Sequence, residues 1–207
     1  MSLLTTAQAV KEQLSIASHT DDHLIERLVR DASAMIETHC GRIFGTLIGT
    51  LQYDRRPTLI GGRIDGRILY FDRDVLKIDV LINGVYGTLD SQSYRLLPTN
   101  PPITSRATLF PRYAVELLTP PVLPWGLSSS GSQGAITIIG TFGYCLPHEV
   151  PYDVQLAATR LAAWLYQNRD NDGSSVQAPD GTLTIPAEAP SFVLKTLQRY
   201  VRVNFVG

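Results

Sequence analysis

The chain has 207 residues, a formal net charge of -1, 44% hydrophobic and 18% charged residues. That much apolar material supports a real core and excludes disorder as the default, and the length suits one large domain or one domain carrying a sizeable insertion. A charge so close to zero excludes a global field that would gather nucleic acid or an anionic membrane surface, so any contact with DNA has to be local. The apolar stretches fall short of the roughly 20 residues a bilayer span requires. Met1-Ser2-Leu3-Leu4-Thr5 lacks a basic segment followed by an apolar one, so the expectation is a soluble cytosolic protein with no membrane partner. Cys40 and Cys145 lie far apart in different kinds of segment and are expected to be reduced, inert thiols.

Thr5 or Thr6 is placed to cap a short helix running to about Ile16, with Ala7, Val10, Leu14 and Ala17 on one face. Ser18-His19-Thr20-Asp21-Asp22 breaks that pattern and suits the start of a second helix near Thr20, where acidic and hydroxyl side chains meet free backbone N–H groups. Leu24, Ile25, Leu28, Val29, Ala32, Met35 and Ile36 form its wide apolar stripe, and Gly41 is positioned to end it in a left-handed conformation. Two antiparallel helices joined by a short turn are expected.

From about Thr46 to Tyr144 the period changes. Thr46–Asp54, Arg67–Asp72, Leu76–Asn83, Ser93–Leu97, Ala107–Phe110, Ala114–Leu118 and Ala135–Phe142 are short, rich in β-branched and aromatic residues, and bounded by Gly, Pro or Asn. They predict an antiparallel β region, with Asn83-Gly84 as a tight hairpin turn. Pro98-Thr99-Asn100-Pro101-Pro102 and the Pro- and Ser-rich run Thr119 to Ser132 read as loops, the second as an exposed arm. Pro151 at the first helical position, with Asp153 in the first turn, opens a third helix ending near Arg169. A loop through Asp170 to Pro186 precedes a fourth helix carrying Phe192, Val193, Leu197, Tyr200 and Val201. The expected class is α+β: a helical domain, made of an N-terminal helix hairpin and C-terminal helices, with a central antiparallel β insert. The expected divisions are 1–45, 46–145 and 146–207.

The motifs that could carry chemistry are weak. His19 and His23 stand four apart near Asp22 and Glu26, but residues 18–20 read as the turn before a helix and no spacing fixes a third ligand, so no metal is expected. His39 and Cys40 are neighbours in sequence, yet a helix turns them about 100° apart. No serine sits in a nucleophile elbow. Gly61-Gly62-Arg63-Ile64-Asp65-Gly66-Arg67 lacks the Gly-Lys-Ser/Thr ending of a phosphate loop and reads as a mobile hairpin tip. The chain is therefore expected to be non-catalytic, with no catalytic residue and no cofactor. Between Asp54 and Lys77, Arg55, Arg56, Arg63, Arg67, Arg73 and Lys77 outnumber Asp54, Asp65, Asp72 and Asp74. Such an excess suits surface solvation or inter-subunit ion pairs first, and phosphate contact second. Trp125, Trp164, Tyr166, Tyr200 and Phe205 lack the interleaved basic residues of a base-stacking platform and read as core or interface anchors.

Several runs carry a resemblance. Leu3-Leu4-Thr5-Thr6-Ala7-Gln8-Ala9-Val10-Lys11-Glu12-Gln13-Leu14, then Asp21-Asp22-His23-Leu24-Ile25-Glu26-Arg27-Leu28-Val29, Ala32-Ser33-Ala34-Met35-Ile36-Glu37 and Cys40-Gly41-Arg42, resemble head-tail connector (adaptor) proteins of long-tailed bacteriophages. Gly143-Tyr144 before Val150-Pro151-Tyr152-Asp153-Val154, the Ala-rich helix to Leu165-Tyr166-Gln167-Asn168-Arg169, and the terminal helix from Pro190 to Arg202 look like that family's closing elements. The resemblance covers both ends, about half the chain, and implies a subunit of a homo-oligomeric ring, commonly twelve-fold in that family. Such a ring sits in the virion neck beneath the portal protein, joins the DNA-filled head to the stopper or tail, and is assembled in the host cytoplasm. On this expectation Phe192, Leu197, Tyr200, Arg202 and Phe205 dock against the portal or a neighbouring subunit. Arg55, Arg56, Arg63 and Arg67 face the DNA channel, touching genomic DNA without sequence preference, or the next ring. A stopper or tail-completion protein, or a β-rich binding module outside phages, is the other reading, and the β insert is larger than in the all-helical members.

Overall fold

A computed structural model describes residues 2–54, 63–100, 109–118, 124–126, 135–169 and 183–202. The described chain divides into two compact units, one of residues 2–45 with 147–202 and the other of residues 46–146. The first is helical and the second is a β-sheet, so the class is α+β as expected.

In the helical unit, α1 (Ala7–Leu14) starts where Thr6, in an extended conformation, accepts the Ala9 N–H at 3.1 Å on its side-chain oxygen, the usual repair of an unbonded first-turn donor. It stops at Ser15, whose φ of 56° turns the chain left-handed. α2 (Asp22–Cys40) ends at Gly41 with φ of 59°, the conformation that residue was expected to supply. Ile25, Val29, Ala32, Met35, Ile36 and Cys40 are its buried stripe. α3 (Tyr152–Gln167) begins immediately after Pro151, one position later than the sequence suggested, and buries Ala157, Ala158, Ala162 and Ala163 along with Leu161 and Leu165. These small side chains let α1, α2 and α4 (Ser191–Leu197) all pack against it. α4 continues as one 3-10 turn, Gln198–Tyr200.

Polar groups inside this unit are paired across long sequence distances. The hydroxyls of Thr5 and Thr159 lie 2.6 Å apart, and the Leu4 N–H meets the buried Ser33 hydroxyl at 3.1 Å, which itself donates to the Val29 carbonyl. The Arg202 N–H donates to the Cys40 carbonyl at 2.8 Å, and the Arg42 guanidinium donates to the Tyr200 carbonyl at 2.7 Å. Residues at the two ends of the sequence thereby complete each other's hydrogen bonds.

The sheet contains β1 (Leu47–Tyr53), β2 (Arg63–Asp65), β3 (Ile68–Asn83), β4 (Tyr94–Leu97), β5 (Arg112–Leu117) and β6 (Ile136–Phe142). All pairings are antiparallel, in the order β1-β6-β3-β5-β4, with β2 paired to the start of β3. Its core gathers Leu69, Phe71, Leu81, Val115, Trp125 and Ile138 among others.

Three expectations are corrected here. Arg67–Asp72 and Leu76–Asn83 are halves of one 16-residue strand, β3, which passes from β5 to β6 with register shifts between Tyr70 and Val75, between Val75 and Lys77, and between Ile78 and Val80. Bulges of this kind bend a strand without ending it. Where Ile78 faces Gly140, between the last two shifts, the strands come so close that a Cβ on Gly140 would stand 2.1 Å from the Lys77 carbonyl oxygen. Phe110 is buried but belongs to no strand, and residues 107 and 108 lie outside the described part. Asn83-Gly84 is no two-residue turn: Asn83 has φ of -108°, Gly84–Tyr86 form a 3-10 turn closed by the Gly87 N–H donating to the Gly84 carbonyl at 3.2 Å, and the Asn83 N–H donates to the Gly87 carbonyl at 2.9 Å. The Asn83 side chain is wholly buried, donating to the Pro124 carbonyl at 3.1 Å and accepting the Gly126 N–H at 2.7 Å. An amide was therefore required there to hold the segment that delivers Trp125, 2% exposed, into the sheet core.

Candidate interface surfaces

The terminal helix presents less surface than its apolar sequence suggests. Leu197 is fully buried and Tyr200 nearly so. The Tyr200 hydroxyl donates to Asp153 at 2.8 Å, and its ring meets Phe44 edge-on at 5.8 Å. These two anchor residues hold α4 inside the helical unit. Phe192 is half-buried under the Arg160 guanidinium, which lies 4.3 Å from the ring centre in a cation–π contact. Arg202 is half-buried at the end of the turn. Phe205 lies outside the described residues.

The arginine cluster divides similarly. Arg63 on β2 and Arg67 in the turn to β3 are exposed, with Gly66 at φ 57° making the reversal that only a residue without Cβ adopts cheaply. The glycine-dense run thus contains a genuine hairpin with a short strand of its own. Arg55 and Arg56 lie outside the described residues. Arg73 is committed to Asp72 at 3.0 Å, and Lys77 to Asp79 at 2.6 Å. Burial raises the Asp72 carboxyl, but hydrogen bonds from Arg73 and from the Tyr53 hydroxyl outweigh it and hold Asp72 below the ordinary carboxylate range.

The four histidines are exposed and both thiols are buried. His19 precedes α2 and its Nδ1 lies 2.8 Å from Asp22, which also takes the Lys11 ammonium at 2.6 Å. Hydrogen bonds from Lys11 first and His19 second hold Asp22 below the usual carboxylate range. His23 reaches only Glu26, at 3.9 Å. Among the described residues no three His, Cys, Asp or Glu side chains are grouped to hold a metal ion. Cys40 is buried and desolvation pushes its thiol up to about 11, so it is almost entirely protonated near neutral pH and a poor nucleophile beside the exposed His39. No described helix is long and apolar enough to cross a membrane.

Two surfaces escaped the sequence reading. In the helical unit the N-terminal segment Leu3–Ala7 walls a cavity of about 440 Å³ with Val29, Arg30, Pro147 and Val150. Leu3 and, near the start of α3, Tyr152 are 59% and 78% exposed. In the sheet, Leu47 and Ile48 of β1 are 48% and 78% exposed. β1 reads Leu-Ile-Gly-Thr-Leu-Gln-Tyr, with no charge and no proline, and that composition was the available signal.

No protein-family model matches the chain, and no curated protein does. Among solved structures it is similar to a chain in the neck of an empty gene transfer agent (GTA) particle computed with C6 symmetry. The TM-score is 0.56 and the identity 18%, over 97% of this chain and 91% of that one. It is similar to a chain in the neck of the native GTA particle computed with C12 symmetry, at TM-score 0.53 and 19% identity over 97% and 93% of the two chains. A chain in the virion of the native GTA particle gives TM-score 0.51 and 19% identity over 97% and 91%. At these identities the likeness is one of fold, and its coverage takes in the helical and the β-rich segments alike.

Proposed function

We propose that this chain is a structural neck protein of a tailed, phage-like particle, and within the neck a head-tail connector (adaptor) subunit that forms a ring beneath the portal and joins the head to the stopper or tail. The observation that carries this reading is the near full-length likeness in fold to chains from necks computed with six- and twelve-fold symmetry. The connector-like runs at both ends of the sequence support the finer assignment.

The work of such a subunit is adhesion. Closed rotational symmetry repeats one modest contact around an axis until the ring is stable, so no reacting group is needed. The exposed parts of the terminal segment, Phe192 and Arg202, dock against the portal or a neighbouring copy. Leu197 and Tyr200 support them from within the unit. Arg63 and Arg67 face the channel or the next ring, where phosphate contact calls for cations and no base readout.

The test is to image the purified protein with and without its cognate portal. A closed ring that binds portal and is absent from isolated tails is expected. Binding to the tail-side ring in place of portal would favour the stopper or tail-completion role, which the likeness to a neck chain also supports. A subunit that never forms a ring would end both readings. Charge reversal at Arg63 and Arg67 is expected to impair genome retention, and normal retention would remove the channel assignment.

A further inference from the structure

We infer that the edge of β1 left open among the described strands, with the sheet face beside it, is the surface on which the next copy of this chain seats in the ring, adding an extended segment to the sheet. This rests on the ring reading above and assigns it a contact. β1 pairs with β6 along one side, and no described strand pairs with its other side. A lone strand edge presents a row of backbone N–H and C=O groups, and folded proteins guard such edges with charge, proline or brevity. The opposite edge is guarded: β4 has four residues, carries the exposed Arg95 paired with Glu116 at 2.7 Å, and is followed at once by Pro98. β1 is seven residues long and has none of these devices.

The side chains agree with the backbone. Leu51 and Tyr53 turn to the core, so Ile48, Thr50 and Gln52 point the other way. Register puts Thr50 across from Ile139, and Ile139 across from Val80, so β-branched side chains continue over three strands. Ile48 and Ile139 are 78% and 37% exposed. Uncharged edge and β-branched face suit strand addition, in which main-chain bonds supply affinity and alternate side chains supply fit. They do not suit DNA, since β1 holds no cation for a phosphate.

The asymmetry of the two edges argues for a second copy as the occupant. A ring larger than a dimer is closed by heterologous contacts, in which one surface of each subunit meets a different surface of the next. The outer side of β2 is guarded as β4 is, by three residues that include the exposed charges of Arg63 and Asp65, so among the described strands β1 is the single acceptor each copy offers, as a head-to-tail ring needs.

The experiment compares amide hydrogen exchange of wild-type rings, formed alone or on portal, with that of the free subunit, and adds the double variant Ile48→Lys/Thr50→Lys with Ile48→Val as its control. Expected are at least ~10-fold slower exchange across Leu47–Tyr53 in the ring, since opening then requires loss of a pairing, and a double variant that keeps its circular dichroism but closes no rings. Ile48→Val should assemble as wild type. Rings whose β1 exchanges as fast as in the free subunit, or rings built by the double variant, would overturn the inference while leaving the ring intact. A wild type that forms no ring even with portal overturns the functional reading instead.

Discussion

The helical unit and the sheet unit solve the same problem, burying backbone polar groups, by opposite means. The sheet is built from one continuous stretch of chain, and ladders between its strands satisfy most of its donors and acceptors. The helical unit draws on both ends of the sequence, and side chains and caps stitch them together at Thr5–Thr159, Leu4–Ser33, Arg42–Tyr200 and Cys40–Arg202. The lesson is that a period marks helix stripes and strand segments locally, whereas the helical unit is closed by pairings that no local window contains.

The largest test of this contrast is a cavity in the helical unit. Leu161→Ala removes a fully buried side chain from α3 and is expected to cost about 2–5 kcal/mol. The chain has two tryptophans, Trp164 in α3 and Trp125 in the sheet core, so single-tryptophan variants report each unit during urea unfolding. The Trp164 transition should shift by that amount and the Trp125 transition should hold. Equal shifts of both would make the two units one cooperative block.

A smaller effect is expected from the buried hydroxyl pair. Thr159→Val leaves Thr5 facing a methyl group in place of its partner, and a lost buried hydrogen bond costs about 1–3 kcal/mol. A variant as stable as wild type in the same denaturation would show that the stitching between chain ends is ornament.

The smallest effect concerns acid, and it has opposite signs in the two units. Burial raises the Glu37 carboxyl in the helical unit above 4.5, despite the Phe44 N–H and Ser2 hydroxyl that bond it. The folded state then holds its proton more tightly than the unfolded chain, so this contribution grows as pH falls through the raised pKa and is lost as pH rises from 4.5 through it. Asp72 in the sheet is held below 3.8. Its contribution is complete above that value and is lost as pH falls through the depressed pKa. Between pH 6 and 3, about the range of these groups, Trp164-reported stability should lose part of its pH dependence in Glu37→Gln, and Trp125-reported stability should do so in Tyr53→Phe. Unchanged profiles in both variants would reject the assignment.

Much of the fold was legible from the chain alone, and the misses have physical causes. The stripe in α2, its end at Gly41 and the start of the β region follow from period and glycine placement. The continuity of β3 was hidden because Asp72, Arg73 and Asp74 interrupt the apolar pattern, and these charges are tolerated in a strand where Tyr53 and Arg73 bond Asp72. Asn83 carries the local signature of a turn former, whereas its two buried bonds go to residues 124 and 126, far along the chain. The burial of Leu197 and Tyr200 is not legible locally, because apolarity alone does not separate a buried face from a sticky one, and the Tyr200 partners Asp153 and Phe44 stand far off in sequence. The open edge of β1 was written in its composition. Its importance emerged only when β6 was found on one side of it and no described strand on the other.

The bond from Arg202 to Cys40 also has a consequence in time. A ribosome releases α2 long before it makes Arg202, so the Cys40 carbonyl at the end of that helix waits through synthesis of the whole sheet for this donor. The sheet has all its strands by then and is free to fold first, as continuous segments do during translation. The helical unit is closed only once Arg202 has been made, so its completion waits on chain that follows the whole sheet.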